Sequence, residues 1–280
     1  MKANDLYMIL EKDFVNESMS DIWFKYMEEL KEYICDNFKT RSMGLVCDFT
    51  HYITKVYTAV FPTYQVMSQI IDNNVENAML FVHHPSNWDI TKKTPFYLMD
   101  KGQLKIFKQR NISIFCYHVP LDNFSDYSTS VALAKKLGIK ITESFALSRG
   151  AKNGVIGTID IDSIEELHKK FSEVIGHQAK LYMYGHKSIK DSKVAVVAGG
   201  GNDIRYVKEI LDKGVNTLIT GISSETYKEV HQYEKEKEIN LLGGTHYSTE
   251  KFACQSMCEY FRKLGVEAEF IEGVPILEDM

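Results

Sequence analysis

The sequence predicts an α/β fold of two lobes, and three observations predict it. Short apolar runs such as Leu80-Phe81-Val82, 112–117 and 193–198 recur along the chain, each closed by proline, glycine or polar residues, as buried strands are. Stretches with a helical apolar period alternate with those runs, and a crossover helix between two strands makes the strands parallel. The 280 residues suit one large domain or two modest lobes, with ample length for a core.

Residues 1–20 are polar and mixed and read as a frayed start. From Asp21 a helix is expected, because Ile22, Tyr26, Met27, Leu30, Tyr33 and Ile34 share one face and Ser20 or Asp21 can cap it. Residues 43–49 and 55–61 are expected strands, the second ended by Pro62, and 63–75 is helical through Val66, Ile70 and Ile71. The strand Leu80-Phe81-Val82 stops at His83-His84-Pro85, since proline cannot continue a ladder. Residues 94–109 are expected to be helical and 112–117 a strand, which ends in His118-Val119-Pro120-Leu121-Asp122 and repeats the earlier arrangement. A helix over 127–137 is closed by Gly138. Residues 139–153 read as a connector between an N-terminal lobe of about 21–138 and a C-terminal lobe of about 154–280, within one unit spanning 1–280.

In the C-terminal lobe, strands are expected at 155–159, 180–184, 193–198, 217–220, 239–242 and 267–271. Helices are expected at 164–175, from Asp203 to about residue 212, over 223–237, and after Ser248, which is a good N-cap. That last helix carries Ala253, Met257, Tyr260, Phe261 and Leu264 on one face.

Ligands of α/β sheets bind at the carboxyl ends of strands. Three such ends carry metal-ligand side chains here: His83 and His84, then Asp122, then His246 and Glu250. Each has an ordinary alternative. Glu250 suits the first turn of a helix, Asp122 a turn, and His246 a loop after a glycine pair. Convergence at one sheet edge is the argument for a site. Imidazole with carboxylate suits Zn, Fe, Mn or Ni better than Ca or Mg. The five donors exceed the needs of one catalytic zinc and suit two divalent ions bridged by a carboxylate. Gly199-Gly200-Gly201, between a strand and a helix, has two readings: a phosphate cradle at a helix N-terminus, or a tight turn with close backbone packing. Cys254 and Cys258 read as buried helix thiols, and His231 as a solvated residue of a charged helix.

The chain resembles the NIF-three-like (NGG-one-interacting-factor-three-like) family of dinuclear metal-centre proteins. The likeness is carried by Phe81-Val82-His83-His84-Pro85, His118-Val119-Pro120-Leu121-Asp122, Val194 through Gly201, and above all Gly244-Thr245-His246-Tyr247-Ser248-Thr249-Glu250. It extends from about Gly44 to Gly273. The resemblance implies two α/β lobes with a dinuclear site in the cleft between them. It implies His83, His84, Asp122, His246 and Glu250 as metal ligands, with His118 beside the centre, and a toroidal homohexamer. Some family members are described as GTP cyclohydrolase I type two. The chain departs from the family pattern at Ser86-Asn87-Trp88, at Val119, at Asn123-Phe124-Ser125-Asp126 and at the inserted Thr245, which points to different substrate contacts.

Composition narrows the function classes. Net charge is −5 with no basic tract, which gives no support to a nucleic-acid binder. No apolar run approaches the ~20 residues of a membrane span, and the charged start has no signal-peptide core. The five cysteines are odd in number, form no CxxC pair, and read as reduced thiols of a cytoplasmic protein. Three functions are carried forward. One is a hydrolase in which metal-activated water attacks a small substrate, a nucleotide or another phosphorylated molecule among the candidates, with His118 as acid–base group. The others are a non-catalytic metal-binding regulator or scaffold, and an oligomer whose metals only tie it together.

Overall fold

Two mixed β-sheets organise the chain in the computed structural model, which describes residues 1–280. In order, the elements are α1 (Ala3–Phe14), α2 (Asp36–Arg41), β1 (Gly44–Cys47), β2 (Lys55–Ala59), α3 (Tyr64–Asp72), β3 (Ala78–Val82), β4 (Asn87–Trp88), β5 (Phe96–Tyr97), α4 (Lys101–Gln109), β6 (Ile112–Cys116) and the single turn α5 (Val119–Asp122). They continue with α6 (Thr129–Leu137), β7 (Lys140–Ser148), β8 (Ala151–Thr158), α7 (Ile164–Ile175), β9 (Lys180–Tyr182), β10 (Lys193–Val197), α8 (Ile204–Asp212), β11 (Thr217–Thr220), α9 (Lys228–Glu236), β12 (Asn240–Gly243), α10 (His246–Lys263) and β13 (Glu267–Phe270). The chain divides into two compact units: Met1–Leu121 with Arg149–Ala151 and Cys254–Val274, and Asp122–Ser148 with Lys152–Ala253 and Pro275–Met280.

The first unit holds a five-stranded sheet in the order β1-β6-β3-β2-β13. β6, β3, β2 and β13 run parallel, and β1 is antiparallel at the edge. Parallel strands are buried on both faces, which explains why β3 and β6 read as unbroken apolar runs. Thr63 and Asp100 start the crossover helices α3 and α4 by accepting from the amides of Val66 and Gln103. Val66, Ile70, Leu104 and Phe107 then pack with Leu80, Val82, Ile112 and Ile114 into the core. β4 and β5 form a separate small ribbon, so the expected helix over 94–109 begins only at Lys101.

The second unit holds a six-stranded sheet, β7-β8-β10-β11-β12-β9, with β10, β11 and β12 parallel. Its core joins Ile156, Ala195, Val197, Leu218 and Leu241 to Val207 and Ile210 of α8. α7 spans the predicted 164–175: Ser163 caps it, and Gly176 ends it at φ +85°. No helix is long and apolar enough to cross a membrane.

Three stretches differ from expectation. Residues 3–14 are helical, not frayed, because Ala3, Leu6, Leu10 and Phe14 form a buried face, with Phe14 against Tyr117 and Tyr260. Residues 21–34 form no α-helix. Two 3-10 turns, Trp23–Tyr26 and Glu28–Leu30, bury Trp23, Met27, Leu30 and Ile34, and the amide of Phe24 donates to Ser42 Oγ of a later segment. Residues 139–153, expected as a connector, are mostly strand: β7 and β8 are sheet neighbours, with Arg149 and Gly150 at positive φ in the turn.

Candidate metal centre

The first unit places three imidazoles together. His83 and His84 extend β3 past its last named residue, and their amides still donate to Ala59 and Val60 of the β2 side. His83 Nδ1 lies 2.9 Å from the carbonyl oxygen of Tyr117. A carbonyl only accepts, so Nδ1 carries the ring proton and Nε2 is the ring's acceptor, the form in which a histidine binds a metal. The His84 ring stacks on Phe61 at 4.8 Å and meets the edge of Trp23. His118, at the end of β6, brings its ring within 4.8 Å of His84 and 5.4 Å of His83. The ligand atoms of His83, His84 and His118 all lie within 4.8 Å of one another, a group that can hold a metal ion. His83 and His84 are 0% and 1% exposed.

Asp21 is the residue that the sequence reading missed. Its Oδ2 accepts from His118 Nδ1 at 2.7 Å, and its Oδ1 accepts from Arg149 Nη1 at 2.7 Å and from the Ile22 amide. Burial alone would raise its pKa. The His118 ring, the Ile22 amide and Arg149 outweigh that and hold the carboxyl below its ordinary value. Cys116 is no rival nucleophile, since burial drives its thiol pKa well above the ordinary range while Sγ donates to the His83 carbonyl.

The second unit supplies a histidine and a carboxylate from one helix. α10 begins at His246, earlier than the Ser248 cap predicts. The inserted Thr245 is the cap: its Oγ1 accepts from the Ser248 amide at 3.0 Å, while Ser248 Oγ accepts from the Thr245 amide at 3.0 Å. This reciprocal pair is a capping box with serine in the third position. His246 and Glu250 are therefore one helical turn apart on the same face, with Nε2 and Oε1 3.2 Å apart. They are 5% and 3% exposed. The His246 amide donates to Asp279 Oδ2 at 2.8 Å. Asp122 ends α5, and its Oδ1 accepts from Thr129 Oγ1 at 2.8 Å.

The glycine turn after β10 packs against this pair. Gly199 has φ +68°, and a Cβ there would collide with Glu250 Oε1. Its amide donates to Thr249 Oγ1 at 3.0 Å, and the Gly201 amide donates to Thr220 Oγ1 at 3.0 Å. Two of the amides that a phosphate cradle would use are thus bonded within the protein, and the turn packs closely against its neighbours. Cys254 Sγ donates to the Ala59 carbonyl and Cys258 Sγ lies 3.1 Å from Thr58 Oγ1, so both are buried helix thiols. His231, expected at a solvated face, is buried: Nε2 faces the carbonyls of Ser223 and Ser224, and the ring lies against Tyr182.

Known proteins resemble this chain in sequence and in fold. A GTP cyclohydrolase 1 type 2 homolog of Archaeoglobus fulgidus is 30% identical over 69% of this chain and 74% of its own length. Its counterpart in Buchnera aphidicola is 28% identical over 82% of this chain and 88% of its own. Among solved structures, the protein ybgI, of unknown function, superposes with a TM-score of 0.77 at 19% identity, covering 99% of this chain and all of its own. Reduced HcgD from Methanocaldococcus jannaschii does so at 0.67 and 20% identity, covering 98% of each chain. The model of the family Duf34/NIF3 (NGG1p interacting factor 3) matches residues 25–275, and the chain belongs to that family.

Proposed function

We propose that the protein is a dinuclear-metal hydrolase in which His83, His84, Asp122, His246 and Glu250 hold two divalent transition-metal ions. The observation that carries this reading is donor chemistry: buried imidazoles gathered at the end of β3, and a buried histidine–carboxylate pair fixed one turn apart at the start of α10. The donor set fits Zn, Fe, Mn or Ni. Such ions would supply Lewis acidity and acidify a water near neutral pH. The protein's own groups do the rest. Tyr117 orients His83, Thr129 holds Asp122, and Gly199 leaves Glu250 its room. His118 moves a proton to or from the substrate.

The names of the curated relatives make GTP the first substrate to try. Other nucleotides, phosphoesters and cyclic amides follow. We carry a homohexamer and a cytoplasmic location as parts of the same reading, the first open to sedimentation velocity. The near-complete burial of four of the five donors, His83, His84, His246 and Glu250, favours a second reading, a non-catalytic regulator or scaffold that stores or senses metal. Reconstitution with each metal, followed by elemental analysis and a turnover screen, separates the two. About two ions per chain with turnover that chelation abolishes supports the hydrolase. Reversible uptake without turnover supports the regulator. A trace of metal only after reconstitution rejects both.

A further inference from the structure

Asp21 lies just before the Trp23–Tyr26 turn, and its side chain is 0% exposed. Donors are aimed at both of its oxygens: His118 at Oδ2, and Arg149 with the Ile22 amide at Oδ1. A carboxylate held below its ordinary pKa accepts only, so the hydrogen between Asp21 and His118 belongs to the ring. The Trp23 ring meets the same ring edge to face, centroids 5.3 Å apart, and limits its rotation.

We infer that Asp21 is a positioning residue for His118, holding the neutral ring with its proton on Nδ1 so that Nε2 is the acceptor beside His83 and His84. The inference rests on the reading of His118 as the acid–base group. An imidazole protonated on Nδ1 takes a proton at Nε2, whereas one protonated on Nε2 does not. The arrangement also predicts what an amide would do. Arg149 and the Ile22 amide both require an acceptor on the Oδ1 side. In Asp21→Asn the amide oxygen takes that place, its NH2 group faces His118, and Nδ1 becomes the acceptor. The ring proton then moves to Nε2, and the group that faces His83 and His84 becomes a donor.

The test is the tautomer of His118, read by nitrogen-15 NMR on the full-length, metal-free, histidine-labelled protein at a pH where the ring is neutral. His118→Gln assigns the signal by its loss. The expected result is an Nδ1-protonated ring in the wild type, a shift of the proton to Nε2 in Asp21→Asn, and return to Nδ1 in Asp21→Glu. A wild-type ring protonated on Nε2 overturns the inference whether or not the Asp21 variants fold. So does an Asp21→Asn protein that keeps the wild-type tautomer. No metal or substrate enters this measurement. Failure of metal uptake or turnover while the tautomers behave as expected would therefore count against the proposed function alone.

Discussion

Glu234 on α9 has a side chain that is 0% exposed, and neither carboxyl oxygen has a hydrogen-bond partner. His231 Nδ1 is 3.5 Å away, beyond a good hydrogen bond, and already faces Tyr184 Oη at 3.1 Å. His231 Nε2 faces backbone carbonyls, which only accept, so that nitrogen carries a proton. Burial pushes the Glu234 pKa from 4.5 to about 8. The sign follows from proton binding. Below pH 4.5 both folded and unfolded chains hold the proton, and nothing is lost. Between pH 4.5 and 8 the folded chain keeps a proton that the unfolded chain releases, so each pH unit of rise costs about 1.4 kcal/mol of stability. By pH 7 the loss is about 3 kcal/mol, and above pH 8 it levels off.

Glu234→Gln removes the titration with little change of shape. It should match the wild type near pH 4.5 and exceed it in melting temperature by up to roughly 6–12 °C at pH 7, with a larger gap at pH 8. Thermal unfolding of both proteins across pH 4.5–8.5, at equal metal content, measures the difference. A variant less stable than the wild type at pH 8 would refute the reasoning. Glu234 would then be ionised and paired with a protonated His231, and removing its charge would break a buried pair.

Four further outcomes are expected. Glu250→Gln should lower metal content sharply, because a neutral amide is a poor ligand, while Cys254→Ser should leave it unchanged; elemental analysis of both decides, and the reverse pattern would mean the wrong ligands were chosen on α10. Gly199→Ala places a Cβ against Glu250 Oε1 at a positive φ, so it should lose both stability and metal affinity, read by melting and by metal titration. Thr245→Ala removes the cap of α10 and should cost about 1 kcal/mol in denaturant unfolding, together with weaker metal binding. His118→Ala should keep its metal while turnover falls roughly 10²–10⁴-fold, and thiol-blocking reagents should leave activity intact.

The elements that were legible in the sequence carry their signals locally. α7 runs from the residue after Ser163 to the residue before Gly176, and β11 occupies 217–220 as read, because cap, period and turn lie within a few residues of one another. What was not legible depends on partners far along the chain. Asp21 was read as a helix cap, but its donors are His118 and Arg149, 97 and 128 residues away. The helix expected at 21–34 failed with it: that apolar spacing is satisfied by two 3-10 turns once Ser42 accepts the Phe24 amide. His231 and Glu234 sit in a segment so rich in charge that burial was not expected, and only the approach of the Tyr182 ring to the imidazole, centroids 4.6 Å apart, shows the pocket.

The candidate site shows the same division within a single motif. The sequence named His246 and Glu250 but placed the start of the helix at Ser248, which would leave His246 outside the helix and its distance to Glu250 unset. The reciprocal bonds of Thr245 and Ser248 move the start to His246, and a spacing of four then becomes one turn. Thr245, which looked like an interruption of the family's signature, is the residue that brings the imidazole and the carboxylate to one face. The Gly199 turn completes the arrangement from the opposite side. Its missing Cβ leaves room for the carboxylate, and its amide is held by Thr249, one residue before that carboxylate on the same helix. Helix phase and turn conformation thus fix Glu250 independently of any ion. Metal affinity should accordingly respond to Thr245 and Gly199 as well as to the donors themselves.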